Sequence, residues 1–196
     1  MTGSRRAWRF VVGAGLVGAS LAAARQPKIA AREERIFRAA NGVTDAVRIP
    51  VRTLMQAGTF GTVPAVAAVA WIAGNRRLAR SLALGGTAAW LLAKAVKPVG
   101  GRARPAGVLE DVTLREHIAG DLGWPSGHTA VATTLAAILA RELPDTAVPV
   151  LGGIVGAVGF GRMYVGAHLP HDIVGGAGLG LIVSAVFEPG RPANVR

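Results

Sequence analysis

Cysteine is absent from the 196 residues, so the fold holds neither disulfides nor thiolate metal ligands, and thiol usage says nothing about redox compartment. Charge is scarce too: 17% of residues are Asp, Glu, Lys or Arg. Acidic residues are the scarcer half, 11 against 22 Lys and Arg, for a formal net charge of +11. No cluster of carboxylates stands out that would build a magnesium site. Long apolar runs are also missing, since no block reaches the ~20 residues that span a bilayer core. What remains is 51% hydrophobic, in blocks parted by short polar stretches. That reads as one compact membrane domain, 1–196, and not as two soluble ones. On a soluble domain the basic excess would point to nucleic acid. Here the arginines cluster between apolar blocks, where anionic headgroups are the nearer partner, so no nucleic-acid role is expected.

Six apolar blocks can be drawn: Phe10 to Ala24, Phe60 to Ala73, Ser81 to Ala93, His128 to Leu139, Val148 to Phe160 and Ile173 to Phe187. With flanking residues completing each span, they predict an all-α, polytopic transmembrane helix bundle of about six spans. The blocks are rich in Gly and Ala, which let helices approach closely in lipid. Gly152, Gly156 and Gly159, then Gly175, Gly176, Gly178 and Gly180, predict two helices smooth on one side, a surface that would permit a homodimer. Residues 1–24 read as a first span or as a signal peptide, since Arg5, Arg6 and Arg9 precede a short apolar run ending in Ala22-Ala23-Ala24. Residues 28–58 are of another kind. Ile29, Ile36, Phe37, Ala40, Val43, Val47 and Val51 recur near helical spacing among arginines, which predicts an amphipathic interfacial helix, broken at Pro50.

Three polar clusters interrupt the apolar chain: Lys97 with Arg104 and Pro105, then Pro125-Ser126-Gly127-His128, then Arg162 with His168 and Asp172. Charge placed in or near a bilayer is expensive, so such residues are functional candidates. With consecutive spans, the loop before the fourth block and the loop before the sixth face one compartment, and those loops hold all three clusters. Arg5, Arg6, Arg9, Arg76, Arg77, Arg80, Arg141, Arg191 and Arg196 fall on the other side, which favours a cytoplasmic N-terminus and a site facing outwards.

Pro125-Ser126-Gly127-His128 sits at a helix start, where free backbone N–H groups and the positive dipole end form an anion site; an ordinary capped helix start would look the same. His168 and Asp172, four residues apart, can act as a pair in which the carboxylate fixes the imidazole tautomer and frees the other nitrogen to attack. Alternatively, Asp172 is only a helix cap. Lys97, Arg104 and Arg162 supply the cations that phosphoryl transfer needs around its oxygens. Arg102 and Arg115 fit better as juxtamembrane residues that meet headgroups. His171 reads as a surface histidine, and His117, Glu110 and Asp111 as candidate residues of the site entrance.

The pattern Lys97-x6-Arg104-Pro105, Pro125-Ser126-Gly127-His128, Arg162-x5-His168-x3-Asp172 resembles the three-part signature of the type 2 phosphatidic acid phosphatase superfamily, in the same order, over residues 97–172. That resemblance implies His168 as the nucleophile that forms a phosphohistidine, Asp172 as its orienting partner and His128 as the acid that protonates the leaving oxygen. Lys97, Arg104, Ser126, Gly127 and Arg162 would hold the phosphate. It implies no cofactor and no metal. The expected partner is a lipid phosphate in the membrane: phosphatidate, phosphatidylglycerol phosphate, or a polyprenyl phosphate or diphosphate. The expected place is the cell membrane, with the site on the extracytoplasmic face. Two other readings share these residues: a non-catalytic protein that binds anionic lipid, and a phosphotransferase or vanadate-binding haloperoxidase on the same scaffold, the latter disfavoured by the short apolar chain. One position departs from the signature. The family usually has serine before the third-motif arginine, and this chain has Gly161.

Overall fold

A computed structural model of the protein describes residues 2–189. Arg191 and Arg196, and the side chain of Arg5, lie outside the described residues. The helices are α1 (Thr2–Ala24), α2 (Ala31–Asn41), α3 (Arg48–Met55), α4 (Thr62–Ile72), α5 (Arg76–Ala95), the single turn α6 (Lys97–Gly100), α7 (Gly127–Leu139), α8 (Val148–Tyr164) and α9 (Pro170–Val186). Among the described residues, β pairing is limited to one isolated bridge. Six of these helices coincide with the six apolar blocks. By length and composition, Arg6–Ala24 and Asp145–Tyr164 can cross a membrane alone, while Asp45–Gly58 and Thr62–Ile72 form a pair bent by 67°. The helices α7 and α9 are apolar but shorter.

At the centre, α9 packs against α1, α7 and α5, and α7 also meets α5 and α8. Glycine makes this possible in α9: a Cβ on Gly178 would stand 2.7 Å from the Gly13 carbonyl of α1, and one on Gly180 would stand 2.6 Å from the Ala130 carbonyl of α7. The glycines of α8 divide. Gly159 packs on Ile173, but Gly152 and Gly156 have nothing near them, so only α9 uses its whole smooth surface inside the chain. The apolar core joins α4, α5, α7 and α9 through residues such as Val63, Leu82, Ala89, Val131, Ile138 and Val183.

The amphipathic segment differs from its prediction. It is two helices, parted at Gly42–Thr44, and Pro50 does not break it. Pro50 occupies the third position of α3, where its missing N–H would have had no partner within that helix. Asn41, the last residue of α2, ties the segment to the bundle: its Nδ2 donates to the carbonyls of Thr113 (2.9 Å) and Tyr164 (3.0 Å).

Candidate active site

The three clusters meet at one end of the bundle. A long loop joins α6 to α7, and it folds back on itself: Ala103 bridges Leu122, Arg104 N–H donates to Asp121 O (2.9 Å), and Gly123 N–H donates to Arg102 O (2.8 Å). This fold-back sets the Lys97–Arg104 stretch beside the turn that begins α7. Lys97 fastens the same turn, its Nζ donating to the carbonyls of Leu122 (2.9 Å), Gly123 (3.1 Å) and Pro125 (3.4 Å). Ser126 caps α7, accepting from Thr129 N–H (3.4 Å) and from the Thr129 hydroxyl (3.1 Å). The backbone of Ser126 in turn donates to Asp172 O (2.9 Å), so the second and third clusters are stitched together.

A cavity of about 320 Å³ opens here, lined by Lys97, Arg104, Gly127, His128, Arg162 and His168. Ser126 and Asp172 are fully buried one layer behind it. The mouth is partly apolar: the Phe60 and Trp90 rings lie 4.7 Å apart, tilted by 34°, and Lys94 Nζ sits 3.6 Å above the Trp90 ring. His117 lines the cavity with Glu116, whereas Glu110 and Asp111 do not.

His168 lies just before α9 and is 3% exposed. Its Nδ1 is 3.4 Å from Asp172 Oδ2, and that same oxygen accepts the Leu169 N–H (2.9 Å). Asp172 is therefore both a helix cap and the histidine's partner. The carboxylate is packed tightly from the loop side, where a Cβ on Gly123 would stand 2.7 Å from Oδ2. Burial, with Arg162, Lys97 and Arg104 nearby, holds His168 well below the ordinary imidazole range, so it is neutral and can attack. Burial and the neighbouring Arg104 push Lys97 down to about 8.

The cations are held in different ways. Arg104 donates to three carbonyls, from Nε to Gly120 (2.6 Å), from Nη1 to Ala167 (2.9 Å) and from Nη2 to Ala119 (2.9 Å). Its charge thus stays uncompensated, and burial beside Arg162 lowers its pKa. Arg162 is 5% exposed, pairs with Glu116, and leaves its Nε without a partner. Arg102 and Arg115 do not meet headgroups. Arg102 is buried against Glu33 and Asp172, and Arg115 lies 4.1 Å over the Tyr164 ring while donating to the carbonyls of Asn41, Val43 and Tyr164. Both find enough acceptors on α2, the turn after it, α8 and α9, which removes the reason to reach for lipid. His171 is half-buried; its backbone N–H donates to Glu33 Oε1 (3.0 Å).

Glu33 and Glu116 were not singled out in the sequence. For Glu33 a signal existed: it shares the buried face of α2 with Phe37 and Ala40, an unusual place for a carboxylate. Glu116 carried no such sign. Among the described residues, no group of three or more His, Asp or Glu could hold a metal ion.

This helical bundle, with paired imidazoles and cations gathered at one end, has known counterparts. The chain belongs to the PAP2 superfamily, whose family model matches residues 76–195, more than half of its length. Two solved structures share its fold. Aquifex aeolicus LpxE is 24% identical with a TM-score of 0.74, covering 82% of this chain and 97% of its own. A transmembrane PAP2-type phosphatidylglycerolphosphate phosphatase from Bacillus subtilis is 21% identical with a TM-score of 0.74, covering 92% and 94% respectively. The protein is thus a polytopic transmembrane helix bundle. No curated protein matches the sequence significantly.

Proposed function

We propose that this protein is an integral-membrane lipid phosphatase that hydrolyses a phosphomonoester or diphosphate of a lipid, without a metal, at the extracytoplasmic face of the cell membrane. The whole chain serves as one phosphatase domain. The observation that carries this reading is the cavity itself: His128 and His168, with Lys97, Arg104 and Arg162, line a space whose mouth is partly apolar. Such a site suits a phosphate group attached to a hydrocarbon chain.

The phosphoryl group sits among Lys97, Arg104, Arg162 and the start of α7, where cations and backbone N–H groups meet its oxygens. Asp172 accepts the Nδ1–H of His168, which leaves the Nε2 lone pair to attack phosphorus. His128 takes up a proton as the negative phosphate enters among the cations; as the N–P bond forms, the bond to the leaving oxygen breaks, and His128 gives that oxygen this proton. Water then attacks the phosphohistidine, His128 takes a proton back, and inorganic phosphate leaves with His168 restored.

The test is phosphate release by purified protein in detergent, with EDTA present, from a panel of phosphatidate, phosphatidylglycerol phosphate and polyprenyl phosphate and diphosphate. Release from at least one lipid is expected, and His168→Ala should abolish it, by roughly 10⁴-fold or more. Activity that vanished with EDTA and returned with magnesium would refute the mechanism. A protein that bound these lipids yet never formed an acid-labile phosphoenzyme would be a binder and not an enzyme.

A further inference from the structure

Behind the cavity, a chain of buried charges runs from the interfacial helix to the nucleophile. Arg102 grips Glu33 with both arms, Nη1 to Oε1 (2.8 Å) and Nη2 to Oε2 (2.7 Å). The same Nη1 lies 3.5 Å from Asp172 Oδ1. All three side chains are buried. The other oxygen of Asp172 already serves Leu169 N–H and His168, so Arg102 is the group that faces the first one.

We propose that Glu33 and Arg102 are positioning residues for the Asp172–His168 pair, so that the interfacial helix α2 sets the angle at which the nucleophile meets phosphorus. This inference rests on the phosphatase reading above. Its physical basis is that a buried carboxylate tolerates little freedom and needs each oxygen satisfied. A lone Arg102 beside Asp172 would draw the carboxylate's charge away from His168. Paired with Glu33, it is close to neutral as a unit and fixes the orientation of Asp172 without quenching it. Burial works against the charge on Glu33, but the hydrogen bonds from Arg102 and His171 outweigh that and hold it below the usual carboxylate range, so the pair stays ionised throughout the working pH. Two further observations support a designed anchor. Asn41 pins the other end of α2 to the motif-bearing loop and to the end of α8. Glu33 also lies outside residues 76–195, the part matched by the family model, so this segment of the chain completes the site from beyond the signature.

A buried ion pair could serve stability alone, and the test separates the two roles. Replacing both partners by apolar residues, Glu33→Met with Arg102→Met, is often tolerated by folds. Steady-state phosphate release from the panel lipid that the wild type turns over fastest should then show kcat down roughly ten- to a hundred-fold, as when the partner of a reacting-site ligand is removed, with KM within about two-fold. The charge swap Glu33→Arg with Arg102→Glu is the sharper variant. It restores the ion pair but sets a carboxylate against Asp172, so it should lose at least as much kcat, with KM again within about two-fold. Arg102→Lys keeps the charge but cannot reach both carboxylates, and should fall between. The control Glu34→Gln, whose carboxylate pairs with Arg38 and not with Arg102, should leave kcat unchanged. Wild-type kcat in the double Met variant, in the swap or in Arg102→Lys overturns the proposal. If the wild type released no phosphate, the phosphatase reading would fall; if the wild type were active, His168→Ala dead and these variants fully active, this inference alone would fall.

Discussion

The two ends of the bundle carry similar arginines and treat them differently. At the end away from the cavity, Arg9 and Arg141 converge on one carboxylate, Glu188, Arg141 Nε at 2.7 Å from it, and Arg9 also donates to Ala137 O (3.3 Å). That carboxylate offsets one of the two charges. At the cavity end Arg162 pairs with Glu116, but Lys97 and Arg104 are held by six backbone carbonyls, with no carboxylate partner among the described residues. Carbonyl dipoles fix a cation in place without neutralising it, so the positive field remains for an anion to meet. The lesson is that a cation's partner matters as much as its presence: Lys97 and Arg104 keep their field for an anion, while Arg9 and Arg141 share theirs with Glu188.

That contrast predicts that changes at the cavity end cost rate while changes at the far end cost stability. The largest effect after the nucleophile belongs to His128. His128→Ala should lower kcat by about 10² to 10⁴, the usual worth of a general acid, and leave the melting temperature unchanged. The loss should shrink for a substrate whose leaving group needs no proton, such as p-nitrophenyl phosphate. An equal loss on both substrates would deny His128 the role of acid.

Lys97 gives the next effect, read in pH. In the free enzyme its pKa is pushed down to about 8, so the cation is intact below that value and is lost as pH rises through it. A profile of kcat/KM should therefore fall above about pH 8, tenfold per unit while a single proton is lost. Lys97→Arg, whose guanidinium stays charged, should erase that limb even if it lowers the plateau. Arg9→Met supplies the other half of the contrast: a lower melting temperature with kcat/KM intact over the same range. A limb that persisted in Lys97→Arg would assign it to another group.

How much of this could be read in the sequence follows from the range of each interaction. The six apolar blocks became six helices because blocks of that kind have few alternatives in lipid. The three clusters met because loops of like parity share a side. What stayed hidden were pairings across distance. Glu33 reaches Arg102 from 69 residues away and Glu116 reaches Arg162 from 46, and no local period records either. The misplaced break has the same origin in reverse: Pro50 looked like a breaker by type, but its position in the first turn of α3 makes it harmless. Arg102 and Arg115 looked like lipid contacts because their acceptors, the carboxylates of Glu33, Asp172 and Asp45 and the carbonyls of Asn41, Val43 and Tyr164, come from segments that only the fold brings beside the loop.

Gly161 gives the smallest effect and tests how finely the cavity end is tuned. Gly161 immediately precedes Arg162 and is buried against Met55; a Cβ there would stand 3.3 Å from Met55 Cβ and 3.4 Å from its Sδ. Met55 in turn lies 3.5 Å from Arg162 Nη1. The room that a serine side chain would use at this position is thus already taken by a methionine from α3, and the glycine and the methionine fit as a set. Gly161→Ser alone should change kcat/KM by no more than a few-fold, since the gain from a new hydroxyl near the phosphate is offset by the crowding of Met55. Adding Met55→Ala frees that room, and kcat/KM should then rise above that of the single Met55→Ala variant. If Gly161→Ser matched the double variant without any change at Met55, the methionine would not be what takes the place of the hydroxyl, and the glycine would be a tolerated gap in the signature.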